Sequence, residues 1–237
     1  MLDDSTIARI NKALTLAKAL YLRGHMDEAR HACHLVLRLD PANAMALIRL
    51  GLIAREQHQG DEAVGHFAAA LAADPQSLFA ARLLAGAYRQ VRRLDDAERL
   101  LEIWLRNVPQ DPELLIEKGR CLLDRGDLAA AAAAFEAVTA VAPDNASAFA
   151  LLGICRRRSG DGEGSLAAFS AAVALDPQDV TALNGIGNHH IDREDFAAAI
   201  DCFRRALAVK PGFSKAQKNL AYALSPVSYT HLRAHET

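Results

Sequence analysis

The sequence predicts an all-α fold of stacked helix pairs, and three observations support this prediction. Hydrophobic residues make up 51% of the 237-residue chain and aromatic residues only 5%, because alanine and leucine, both strong helix formers, are abundant. Small and large residues recur with a fixed period, which is typical of repeat proteins. Six prolines share this period of 34 residues: Pro41, Pro75, Pro109, Pro143, Pro177 and Pro211.

Three positions of the 34-residue repeat, counted from Ile10, predict how the helices pack. Position eight is small in all six repeats: Ala17, Gly51, Ala85, Gly119, Gly153 and Gly187. Position twenty is also small: Ala29, Ala63, Ala97, Ala131, Ser165 and Ala199. Position twenty-four is mostly large: Cys33, Phe67, Leu101, Phe135, Phe169 and Phe203. Small residues let two helices approach closely, and the large residue fills the space between repeats.

Helix boundaries follow from capping residues. Two residues after each of the first five prolines stands a residue type that is preferred as a helix N-cap: Asn43, Ser77, Asp111, Asn145 and Asp179. Each cap is worth about 1 kcal/mol. The sixth repeat ends differently, with Phe213. In the fourth repeat Pro112 opens the first helix, residues 125–127 form the turn, and a second helix runs from Leu128 to about Ala140.

The repeats resemble the tetratricopeptide repeat (TPR) family over residues 10 to about 224. The second repeat carries the family pattern most fully, in Leu47, Leu50, Gly51, Ala63, Phe67, Ala70 and Pro75. The resemblance implies a right-handed superhelix of helix pairs. It also implies that the first helices of the pairs line a concave groove, which in this family usually takes an extended or helical peptide.

The predicted organisation follows the 34-residue register. Residues 1–9 are assigned to an N-terminal cap and residues 214–225 to the first helix of a truncated seventh repeat. Between them lie six repeats: 10–43, 44–77, 78–111, 112–145, 146–179 and 180–213.

The last residues, 226–237, do not continue the pattern. The stretch VSYTHLRAHET, residues 227–237, resembles one reading frame of a sequencing adaptor, so we expect a non-native tail and a gene that continued beyond Ser225. The alternative is a natural disordered terminus, which is common at chain ends.

No constellation in the sequence predicts catalysis, a metal site or a cofactor. The glycine-rich stretch GDGEG at 160–164 lies between two helices, whereas a phosphate-binding loop follows a strand. His31 and His34 lie one turn apart on a helix, but zinc needs further ligands. We therefore expect no enzymatic activity in this chain.

Composition also bears on location and on partner class. The four cysteines form no CxxC pair, which favours reduced thiols in a cytoplasmic protein. No run of 18 apolar residues predicts a membrane span. A net charge of −2 argues against general nucleic-acid binding.

By the resemblance, groove positions carry eight basic and five acidic residues. The basic ones are Lys18, Arg49, Arg55, Arg82, Arg89, Arg120, Arg157 and Arg158. A concave basic surface attracts an acidic ligand, and we expect Arg49, Arg82, Arg89 and Arg120, flanked by Arg55, to bind an acidic peptide. The alternative is that these arginines are solvated or paired with acidic neighbours, namely Glu56, Glu117 and Asp124.

Asn184 and Asn188 hold groove positions five and nine of the sixth repeat. They match only part of the two-carboxylate clamp of chaperone-binding TPR domains, so we do not expect binding to a chaperone C-terminus. The predicted function is a scaffold that binds a peptide segment of a protein partner. The alternative is the N-terminal TPR region of a longer enzyme of the glycosyltransferase or sulfotransferase type.

Overall fold

The computed structural model describes residues 3–225, which contain thirteen α-helices and no β-strand. The predicted all-α class is therefore confirmed. The helices are α1 Asp4–Leu22, α2 Met26–Leu39, α3 Ala44–Glu56, α4 Gly60–Ala73, α5 Leu78–Gln90, α6 Leu94–Asn107, α7 Pro112–Arg125, α8 Leu128–Val141, α9 Ala146–Arg158, α10 Gly162–Leu175, α11 Val180–Asp192, α12 Phe196–Val209 and α13 Ser214–Ala223. The predicted non-native tail, residues 226–237, lies outside the described residues.

The helices group into two compact units. Helices α1–α6 lie in the first unit, which ends at Pro109, and α7–α13 lie in the second, which begins at Gln110. Within each unit, paired helices pack together, and the second helix of one pair packs on the first helix of the next. Nothing in the 34-residue register indicated this division. Helix α1 begins at Asp4, so most of the segment assigned to an N-terminal cap is helical.

The predicted N-caps form at all five positions. Each side chain accepts a hydrogen bond from a backbone N–H in the first turn of the following helix: Asn43, Ser77, Asp111, Asn145 and Asp179. Phe213 precedes α13 and makes no such bond. Its ring packs instead against the cluster that contains Leu183 and Phe203. At the last repeat, apolar contact therefore replaces the cap.

The predicted small and large positions meet inside each repeat. Four glycines at position eight lie directly against the phenylalanine at position twenty-four of the same repeat: Gly51 on Phe67, Gly119 on Phe135, Gly153 on Phe169 and Gly187 on Phe203. A Cβ atom added at any of the four would come within 2.5–2.7 Å of a ring atom. The other two repeats have alanine at position eight, and there Cys33 and Leu101 replace phenylalanine. The two side-chain volumes are thus matched within each repeat.

The turn between paired helices contains a left-handed residue at position fifteen of every repeat. Three of these residues are glycines with φ between 80° and 90°: Gly24, Gly126 and Gly160. The other three have φ between 59° and 64° and are not glycine: His58, Arg92 and Glu194. A residue with a Cβ atom pays about 1–2 kcal/mol in this conformation, so three turns are strained and three are not.

Replacing Glu194 by glycine should raise the free energy of unfolding by up to about 1 kcal/mol, because the left-handed strain is removed while glycine adds entropy to the unfolded chain. The matched control is Gly160→Ala, where an added Cβ meets nothing within 4 Å, so packing is unchanged and the same two backbone effects act with opposite sign. We expect this control to lower stability. Urea denaturation of both variants measures the two effects, and a less stable Glu194→Gly variant would contradict the interpretation.

Candidate peptide-binding surface

Four of the predicted groove arginines lie in the first compact unit. Arg49 and Arg55 are on α3, Arg82 and Arg89 are on α5, and all four are half-buried. The Nε atom of Arg49 is buried and has no hydrogen-bond partner among the described residues. Arg55 lines a depression of about 430 Å³ at the C-terminal ends of α3 and α5, and Glu56 lines it as well.

Arg120 lies in the second compact unit, on α7. Its Nη1 atom donates a hydrogen bond to Glu117 Oε1 at 3.0 Å, one turn earlier on the same helix. For this arginine, pairing with a neighbouring carboxylate is what the structure shows. Arg157, another predicted groove cation, pairs with Asp192 at 3.2 Å.

Three asparagines meet on adjacent first helices of the second unit, where α11 packs against both α9 and α13. The Nδ2 group of Asn219, on α13, donates to Asn184 Oδ1 at 3.0 Å and to Asn188 Oδ1 at 2.8 Å. Asn184 is only 8% exposed. Because Asn219 occupies their carbonyl oxygens, Asn184 and Asn188 keep their own Nδ2 donors for a further acceptor.

A cleft of about 240 Å³ opens beside these asparagines. We call it the amide cleft. Its lining contains no carboxylate and comprises Ile154, Arg157, Arg158, Phe169, Thr181, Asn184, Gly185, Asn188, Phe213 and Lys215. Three cationic side chains, of which Arg157 pairs with Asp192, line this small space together with two amides and with apolar residues. Such a space suits a negatively charged group attached to a chain whose carbonyl oxygens can accept from the asparagines.

Sequence reasoning missed Asn219 and Lys215. Asn219 and Lys215 hold positions six and two of the truncated seventh repeat. Both are groove positions by the family pattern, so the 34-residue register could have identified them. The predicted pair Asn184 and Asn188 is brought together, whereas Arg120 is described in a different compact unit from the arginines of α3 and α5.

Other candidate chemistry finds no support in the part of the chain that the structure describes. Residues 3–225 contain no group of three or more His, Cys, Asp or Glu side chains placed to hold a metal ion. No helix in the described range is long and apolar enough to cross a membrane. All four cysteines are buried, and burial raises the pKa of the Cys33 thiol to about 11.

Comparison with known families agrees with the repeat geometry. A family model described as tetratricopeptide repeat matches residues 14–77, 116–180 and 184–224, and a second model with the same description matches residues 54–115. The chain belongs to the tetratricopeptide repeat family. As a TPR protein it is similar over 97 residues, at 30% identity, to the DnaJ homolog subfamily C member 7 homolog of Schizosaccharomyces pombe. That match covers 41% of this chain and only 20% of the relative.

Solved structures show the same fold at low sequence identity. The APC/C hetero-tetramer Cut9–Hcn1 matches 91% of this chain and 43% of its own with a TM-score of 0.78 at 19% identity. PilF of Pseudomonas aeruginosa matches 92% of this chain and 100% of its own with a TM-score of 0.75 at 16% identity. These similarities confirm the TPR superhelix class.

Family membership supports a role in protein–protein interaction. TPR proteins are generally scaffolds without catalytic activity of their own, which is consistent with the expectation that this chain is not an enzyme. The comparisons do not favour the alternative of a TPR region from a longer glycosyltransferase or sulfotransferase.

Proposed function

We propose that this TPR protein is an interaction scaffold that binds an acidic peptide segment of a protein partner in the groove. The amide cleft is the observation that carries the proposal, because its lining combines Arg158 and Lys215 with the Nδ2 donors of Asn184 and Asn188 and contains no carboxylate. Its third cation, Arg157, is paired with Asp192. An acidic side chain forms charge-assisted hydrogen bonds with arginine. The backbone of the same peptide accepts hydrogen bonds from Asn184 and Asn188.

The arginines of α3 and α5 extend this preference to the first compact unit. Arg49, Arg82 and Arg89 are further cations on these two helices, and the Nε atom of Arg49 has no hydrogen-bond partner among the described residues. Arg120 can bind a peptide carboxylate once its pair with Glu117 opens.

Binding of fluorescent acidic, neutral and basic peptides of equal length tests the proposal. Arg158→Glu with Lys215→Glu should weaken binding of the acidic peptide at least about tenfold, which corresponds to about 1.4 kcal/mol. Arg82→Glu with Arg89→Glu tests the first compact unit in the same way. The matched control reverses two exposed charges on α12, outside the groove: Arg204→Glu with Arg205→Glu.

Wild-type affinity for the acidic peptide should also fall as salt rises to physiological strength, where the Debye length is about 8 Å. Equal binding of the three peptides would contradict the proposal. An equal loss in the α12 control would assign the effect to net charge rather than to the groove.

A further inference from the structure

The first repeat exposes a helix face that is buried in the second and third repeats. At position seven, Leu50 and Leu84 are 2% and 4% exposed, whereas Leu16 on α1 is 52% exposed. Leu50 is buried because it packs against Cys33 and Val36 of the preceding second helix. Among the described residues no helix precedes α1 to cover Leu16 in this way.

This face forms a depression of about 510 Å³ between α1 and α2. We call it the N-terminal face. It is lined by apolar and basic side chains and by no carboxylate: Arg9, Lys12, Ala13, Leu16, Leu35, Arg38 and Leu39. Position three is alanine in the second, third, fifth and sixth repeats but Lys12 here. Neither Lys12 nor Arg38 forms an ion pair with a described residue.

We propose that the N-terminal face docks an amphipathic helix of a partner protein, with acidic residues beside its apolar stripe. In the second repeat, the side of α3 that corresponds to this side of α1 packs against α2, so the α1 side of the surface has a shape that suits a helix. The charge of Lys12 and Arg38, which form no ion pair with a described residue, selects a helix with carboxylates flanking its leucines. This site is separate from the groove of the proposed function.

The charge of α13, the last described helix, disfavours docking of a second copy through that helix. Such a copy would bring α13 to the N-terminal face. Helix α13 carries Lys215 and Lys218 and no acidic residue, so like charges would meet. Like-charge contact across an interface costs affinity.

Three labelled peptides of about 18 residues, or five helical turns, serve as probes in fluorescence anisotropy. One has a leucine stripe flanked by glutamates, one has the same stripe flanked by lysines, and one has the acidic composition in scrambled order. The acidic amphipathic peptide should bind, and Leu16→Glu should weaken its binding at least tenfold. The control Leu175→Glu alters a leucine on α10 that is 44% exposed and should leave binding unchanged.

The double variant Lys12→Glu with Arg38→Glu should bind the lysine-flanked peptide better than the glutamate-flanked one. A surface that bound only through apolar contacts would show no such reversal. Arg158→Glu with Lys215→Glu should leave binding of this helix unchanged, so the result is distinguishable from that of the groove. Equal binding by wild type and Leu16→Glu would overturn the proposal. So would self-association that Leu16→Glu abolishes, or binding to anionic phosphatidylserine vesicles in place of the peptides.

Discussion

Replacing Gly153 by alanine should lower the free energy of unfolding by up to about 2 kcal/mol, because the overpacking cost of about 1–3 kcal/mol in a tightly packed core exceeds the gain in helix propensity. The new Cβ would lie 2.7 Å from Cδ1 and Cε1 of Phe169, whose side chain is only 2% exposed. Gly185 lies against the same ring, so the ring has little room to move away. The better helix propensity of alanine, about 1 kcal/mol, offsets only part of this cost.

The matched control is Gly65→Ala. Gly65 lies inside α4 and is exposed, and an added Cβ there meets no atom within 4 Å. This variant gains the helix propensity of alanine without overpacking, so we expect stability to rise by about 0.5–1 kcal/mol. A loss of stability in Gly153→Ala together with a gain in Gly65→Ala would separate the effect of packing from that of helix propensity. A Gly153→Ala protein as stable as the wild type would contradict the packing explanation.

A double variant tests whether the two positions are matched in volume. Phe169→Leu combined with Gly153→Ala reproduces the pair Ala85 and Leu101 of the third repeat, which are 0% and 1% exposed. Each single change is destabilising, by a cavity or by overpacking. The added methyl group fills part of the space that leucine leaves. The double variant should therefore be more stable, by about 0.5–3 kcal/mol, than the sum of the two single-variant effects predicts.

These packing rules show how far the sequence determines the fold. The size classes at positions eight and twenty-four were readable because position eight is small in all six repeats and position twenty-four is large in five of them. The match of glycine with phenylalanine, and of alanine with cysteine or leucine, depends on which side chains touch. It therefore needed coordinates. Phe213 is similar, because a local capping rule cannot anticipate a tertiary contact that replaces the cap.

The positions of the candidate site residues could be predicted from the sequence, but the side chains that they contact could not. The register placed Asn184 and Asn188 on one helix, and the structure adds Asn219, which occupies their carbonyl oxygens. For Arg120 the sequence left two outcomes open, a groove cation or a pair with Glu117. Side chains three residues apart on a helix are within reach of each other, but rotamers decide whether they meet. The structure shows that they do.

The N-cap of α11 should make a large local contribution to stability. Asp179 Oδ1 accepts hydrogen bonds from the N–H groups of Thr181 and Ala182, both at 2.8 Å. Asp179→Ala leaves both donors without this partner, so we expect the free energy of unfolding to fall by about 1–2 kcal/mol. Because α11 carries Asn184 and Asn188, fraying of its first turn would also loosen one wall of the amide cleft.

The control for this cap is Asp179→Asn, which keeps a side-chain oxygen at the cap but removes its charge. Asparagine is as good an N-cap as aspartate, and loss of the favourable interaction with the helix dipole costs only about 0.3–1 kcal/mol. Stability should therefore fall in the order wild type, Asn variant, Ala variant in urea denaturation. Amide hydrogen exchange at Thr181 and Ala182 should accelerate most in the Ala variant. If the Asn and Ala variants were equally destabilised, the charge rather than the hydrogen bonds would account for the effect of Asp179.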